Sequence, residues 1–159
     1  MANFVFNITK GRVAELCNRV DTADPTNAVL VVVLLAATNL ETQTTLQDKV
    51  SFADLVSGTT RESTNSGYAR KVLTGAAIGP FAPDQVNDLF QITIPNQTWT
   101  AVQNDGTGAI GALVVGYQRD STSPGDANIL PLTHHTFAVT PDGADITAQI
   151  GTSGIYQAS

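Results

Sequence analysis

A chain of 159 residues is long enough to bury a real core and short enough to form a single domain. Charged residues make up 14% of it, against roughly a quarter in average soluble domains, and the formal net charge is −6. That balance excludes nucleic acid as the main partner, because phosphate binding needs clustered Lys and Arg. The polar surface is expected to be largely neutral, built from Thr with Asn, Gln and Ser.

The charge is unevenly spread. Lys10, Arg12 and Arg19 stand in the first 20 residues with only Glu15 against them. Beyond residue 80 the sole base is Arg119, facing Asp84, Asp88, Asp105, Asp120, Asp126, Asp142 and Asp145. A basic N-terminal segment and an acidic strand region could dock on oppositely charged partners. The Asp-Gly pairs at 105–106 and 142–143 also have a local reason to exist, as turns. Cys17 is the single cysteine, so no intramolecular disulfide can form, which fits a reducing compartment. The start MANFVFNITKGR has no long apolar run ahead of its bases, so no secretion signal is expected. The longest apolar run, Ala28 to Ala37, is ten residues and too short to span a bilayer. A soluble chain with no membrane partner is the expectation.

In chain order, Phe4 and Phe6 share one face of a short alternating piece. Asn7 or Thr9 would then cap a helix reaching about Val20, with Val13, Leu16, Cys17 and Val20 as its apolar stripe. On that stripe Cys17 reads as a small buried hydrophobe, and Asp24-Pro25 closes the segment. Asn27 to Thr38 is apolar without alternation. A strand buried on both faces and a buried helix both fit, and its four valines favour the strand. Asn39 to Lys49 reads as polar and irregular. Ser51 is an N-cap with Asp54 at the third helical position and Gly58 as the stop, giving a short helix SFADLVSG. The span 58–67 reads as an exposed loop, Tyr68 to Thr74 as a strand, and 75–90 as a long surface connection of the kind that often binds something.

The region from Gln91 to Ile150 is rich in Val, Ile, Thr and aromatics, broken by Gly, Pro, Asn and Asp, as strands and their turns are. Its expected core is Ile92, Ile94, Trp99, Ile110, Leu113, Val115, Tyr117, Ile129, Leu132, Phe137, Val139 and Ile146. The tail, with Ile155 and Tyr156, would add an edge strand. The fold class expected is α+β and mainly β: an antiparallel sheet or small β-sandwich with one or two short helices in the N-terminal half. The expected organisation is one domain over 1–159, with 1–26 an anchoring segment and 68–159 the main β region.

Chemistry is sparse. His134 and His135 are consecutive strand residues pointing to opposite faces, so they cannot easily share a metal ion, and no Cys or Glu stands nearby to complete a set. One of them could be buried and bonded to a turn aspartate. The stretch GTGAIG at 106–111 lacks the lysine of a phosphate loop and reads as a hairpin turn. No nucleophile elbow is present, and Glu15, Glu41 and Glu62 all lie outside the core sheet, which argues against paired catalytic carboxylates. Asp120, Asp126 and Asn128 could bind Ca²⁺, though not with EF-hand spacing. The expectation is no catalytic residue, no cofactor and no metal. Asn7-Ile8-Thr9 and Asn96-Gln97-Thr98 match a glycosylation pattern that has meaning only on a secretory route.

Four stretches carry a resemblance, in order and across most of the chain: NFVFNITKGRVAEL, SGYARKVLT, IPNQTWTA and ILPLTHHTFAVTPDGADITAQI. They resemble small virion structural proteins of tailed bacteriophages, notably those infecting actinobacteria. The resemblance implies a non-enzymatic protein built into the particle, made in the host cytoplasm and sited on the capsid exterior as a decoration or minor capsid component. It would bind the major capsid protein, as a homo-oligomer on the capsid lattice. Phe4, Phe6, Lys10 and Arg12 are the candidate capsid anchor; otherwise Phe4 and Phe6 belong to the domain's own core. The alternatives are a head–tail connector or tail component, a host-surface or carbohydrate-binding module, and an enzyme.

Overall fold

The run from Val29 to Ala36 is buried at every position, and the rest of the fold is arranged on its two sides. The structure, a computed structural model, describes residues 1–79, 81–123 and 125–158. In chain order its elements begin with β1 (Phe4–Val5), α1 (Val13–Asp21), β2 (Val29–Ala36), α2 (Gln43–Gln47), α3 (Phe52–Leu55) and β3 (Lys71–Leu73). They continue with β4 (Pro83–Asp84), β5 (Leu89–Ile92), β6 (Gln97–Trp99), β7 (Ile110–Gln118), β8 (Ile129–Val139), β9 (Ile146–Ala148) and β10 (Tyr156–Ala158). Strand accounts for 31% and helix for 17%, so the chain is mainly β, with its short helices mostly in the first half.

The principal sheet has the order β1-β8-β7-β2-β3, with every pair antiparallel. Two valine-rich strands, β2 and β7, sit side by side at its middle, with Val31 opposite Gly116 and Val33 opposite Val114. Both are apolar at successive positions because both faces of the sheet are covered. On one face Leu30, Val32, Leu34, Leu113, Val115 and Tyr117 meet the stripe Val13, Leu16, Cys17 and Val20 of α1. Ile92, Trp99 and Ile146 from the smaller sheets, with Ile94 from the β5–β6 connection, complete that cluster; those sheets have the orders β10-β5-β4 and β6-β9. On the other face Val29, Val31, Val33, Leu35, Ala112 and Val114 pack against Phe6, Leu46, Phe52 and Leu55. Each such buried side chain contributes about 1.5–3 kcal/mol of transfer free energy. Gly116 is required by close approach: a Cβ there would lie 2.5 Å from the Phe52 ring.

Burial of Cys17 pushes its thiol up to about 12, so it is a packing residue and not a reactive one. Ser51 caps α3 by accepting from the Asp54 amide, as its sequence position requires. Ile155 is buried, and β10 pairs with β5 to form the expected tail strand.

Several expectations are corrected. α1 begins at Val13 with Arg12 at its N-cap and no side-chain cap; Asn7–Thr9 forms a separate 3-10 turn, and Thr9 Oγ1 donates to the Pro131 carbonyl. The stretch 39–49 contains a helix, α2, capped by Thr42 and pinned by buried Leu46. The loop 58–67 is only partly exposed: Thr60, Ser63 and Asn65 are buried, and Glu62 forms a bridge to Leu35. Asn65 Oδ1 accepts from the Gly106 and Gly108 amides, so 106–109 is a loop held by a side chain rather than a hairpin turn, and it leads into β7 at Ile110. The strand expected over Tyr68 to Thr74 is confined to β3, and the connection 75–90 contributes β4 and part of β5. Phe137 and Val139 are half-buried. The β region expected over 68–159 is joined in one sheet by β1 and β2.

Candidate functional site

The N-terminal segment splits into an inward and an outward half. Phe6 is fully buried among the second-face residues. Phe4 is half-buried, edge-on to Phe6 at 5.2 Å between centroids and stacked on His134 at 4.4 Å with 6° between planes. Lys10 and Arg12 stand exposed on the turn leading into α1. Of the four candidate anchor residues, Phe6 is therefore part of the domain's own core and Phe4 mostly so, while Lys10 and Arg12 face solvent. Further contacts seat the segment: Asn7 donates to Asp48 at 2.5 Å, and the Asn3 side chain accepts from the Thr136 amide at 2.9 Å.

The two histidines do point to opposite sides of β8. His134 lies opposite Val114 and under Phe4, and His135 lies opposite Leu113. Neither is bonded to a turn aspartate. His135 Nε2 meets Thr133 Oγ1 at 2.9 Å, whereas His134 is fully buried and both its ring nitrogens lack a hydrogen-bond partner. Burial, reinforced by the neighbouring His135, lowers its pKa to about 4, so it is neutral at pH 7.

A charged node joins loop 58–67 to the β7–β8 connection. Arg70 makes two-pronged contacts with Glu62 (Nη2–Oε2 2.6 Å) and Asp126 (Nη1–Oδ1 2.5 Å), and its guanidinium lies 5.9 Å from the Phe52 ring centroid. Tyr68 donates to Glu62 at 2.6 Å and accepts from the Leu34 amide. Arg70 holds the Asp126 carboxyl below the usual range, while burial next to Glu62 pushes the Tyr68 hydroxyl up. Asp126 is therefore an ion-pair partner of Arg70. Asp120 is likewise occupied, accepting from Thr122 N and Oγ1, and the Asn128 amide donates to the Ser123 carbonyl. Among the described residues no three of His, Cys, Asp and Glu gather around one metal position. Arg70→Ala leaves two partly buried carboxylates facing each other and is expected to cost about 2 kcal/mol in chemical denaturation. Arg70→Lys should recover less than half, since an ammonium cannot make both forks.

A surface concavity of about 930 Å³ lies between α1 and the β7–β8 connection. Arg12, Arg19 and Arg119 line it over a floor that includes Leu16, Tyr117 and Leu130. Glu15 on α1 is bonded by Arg12 at 3.4 Å and Arg19 at 3.0 Å, both through Nε, which holds its carboxyl below the usual range. Among the described residues Arg119 has no acid within ion-pair distance. Residue spacing hides this groove: Arg12 and Arg19 lie one hundred residues and more from Arg119, and only the packing of α1 beside the end of β7 unites them. The signal available was Arg119 itself, the one base after residue 80.

No protein-family model matches the chain, and neither the curated proteins nor the solved structures gave a match. Among the described residues no helix is long and apolar enough to cross a membrane.

Proposed function

We propose that the chain is a non-enzymatic virion structural protein of a tailed bacteriophage, a decoration or minor capsid protein on the outside of the shell. The observation that carries the reading is the position of the four resembling stretches. They supply β1 with the start of α1, then β3, β6, and β8 with β9, while the central strands β2 and β7 lie outside them. A low-charge surface suits a protein packed against partners for its working life. Binding the assembled shell in preference to loose subunits would stabilise it by mass action, and a lattice of equivalent sites favours a symmetric oligomer. Lys10 and Arg12 are the exposed contacts of the N-terminal segment toward the major capsid protein. A carbohydrate-binding module is less well supported, because Trp99 and Tyr117 are 1% and 5% exposed and offer no stacking platform, which leaves half-buried Tyr156 alone of the three.

The test is copy number by quantitative mass spectrometry of purified virions, relative to the major capsid protein. A simple fraction of the shell's subunits is the expected result. A trace ratio assigns the protein to the neck or tail, and absence from virions overturns the reading.

A further inference from the structure

We infer that the groove between α1 and the β7–β8 connection binds an extended acidic segment of a partner protein. The five arginines of the chain divide by employment. Arg61 donates to the Val56, Gly58 and Thr60 carbonyls, and Arg70 is saturated by two carboxylates. The other three converge on the groove with most of their donors unspent: Arg12 and Arg19 each give one bond to a shared Glu15, and Arg119 gives none to the described residues. A guanidinium carries five N–H donors in a planar fork that fits a carboxylate on two of them.

The acids near the groove do not fill this capacity. Glu15 is a single charge between two arginines, Asp120 accepts from Thr122 and Ser123 within its own turn, and Asp24, near enough to act on Arg19 and Tyr117, makes no ion pair among the described residues. The floor adds the second requirement of a peptide site, an apolar surface at half-buried Pro25 and Leu130 against which an interleaved side chain can pack. A carboxylate-bearing peptide with apolar residues between its acids matches both the rim and the floor. The inference rests on the capsid-protein reading for the identity of the partner, but not for the chemistry of the groove.

The probe is a fluorescein-labelled hexapeptide alternating glutamate with leucine, titrated against the full-length chain at low salt and followed by anisotropy. Saturable binding that weakens as salt is added is expected, with no binding of the glutamine–leucine counterpart. Arg119→Glu should weaken binding about tenfold at an unchanged thermal midpoint, since it reverses an exposed charge that supports no fold contact. Equal binding by Arg119→Glu, or by the neutral peptide, overturns the inference. Preferential displacement by inorganic phosphate overturns it as well, in favour of a small-anion site. Protein dimerisation that excludes the peptide assigns the groove to a second copy of the chain and also overturns it. Virions provide the separation from the capsid reading: full incorporation of Arg119→Glu leaves that reading intact and removes the groove from it, while absence of the wild-type chain removes the reading and leaves peptide binding standing.

Discussion

Phe6→Ala is expected to lower the unfolding free energy by about 3–5 kcal/mol, and with it the thermal midpoint by about 10 °C. The side chain is completely buried and fills the space between Phe4, the β2–β7 face and the helices α2 and α3. Truncation leaves a cavity that the surrounding sheet cannot close, because β1 is already tied to β8 through Phe4 and His134. The loss is one of packing. Lys10→Ala and Arg12→Ala should by contrast change stability by less than about 0.5 kcal/mol, as exposed substitutions do. Capsid affinity then separates the two halves of the segment. If Phe6→Ala protein that is still folded keeps its affinity while Lys10→Ala or Arg12→Ala loses it, the contact is basic and superficial. A Phe6→Ala variant with undiminished stability would contradict the burial described above.

The second large effect is a pH dependence set by His134. Its pKa falls from an ordinary 6.5 to about 4 on folding, because burial penalises the charged ring and His135 opposes the charge. The unfolded chain therefore binds more protons than the folded one between these two values, and stability rises with pH across that window. Lowering the pH from 6.5 to about 4 should remove roughly 3 kcal/mol, with no further loss from this group below it. His135, whose pKa is also lowered by burial, acts in the same direction. Carboxylates with depressed values, such as Asp126, lose their contribution at lower pH, below the ordinary carboxylate range. His134→Phe keeps the stack on Phe4 and removes two buried polar atoms that have no partner. It should raise stability at pH 7 by about 1–2 kcal/mol and flatten the profile between pH 6.5 and 4. Denaturant titrations of both proteins across that range measure it, and an unchanged slope in His134→Phe would assign the dependence elsewhere.

What the sequence determined by itself was whatever depends on neighbours along the chain. The stripe of α1 follows from Val13, Leu16, Cys17 and Val20 at spacings of three and four. The short helix α3 follows from a Ser51 cap with Asp54 in place, and the central strand β2 from a valine run with no polar face. The mainly β class followed from the same local patterns. Tertiary structure decided what depends on distant partners. Five residues, Gln43–Gln47, became a helix because Leu46 packs beside Phe52 and Leu55. Thr60, Ser63 and Asn65 are polar enough to read as loop, yet Asn65 is buried because it spends its amide on the backbone of 106–108. Phe4 and Phe6 could equally have been an anchor or core, and only the covering of β8 turned Phe6 inward. Arg70 met Glu62 and Asp126, and Arg119 joined Arg12 and Arg19, across separations that no local pattern records. Local periodicity fixes which way a side chain faces on its own element; which surface that face then meets is set by how the elements pack.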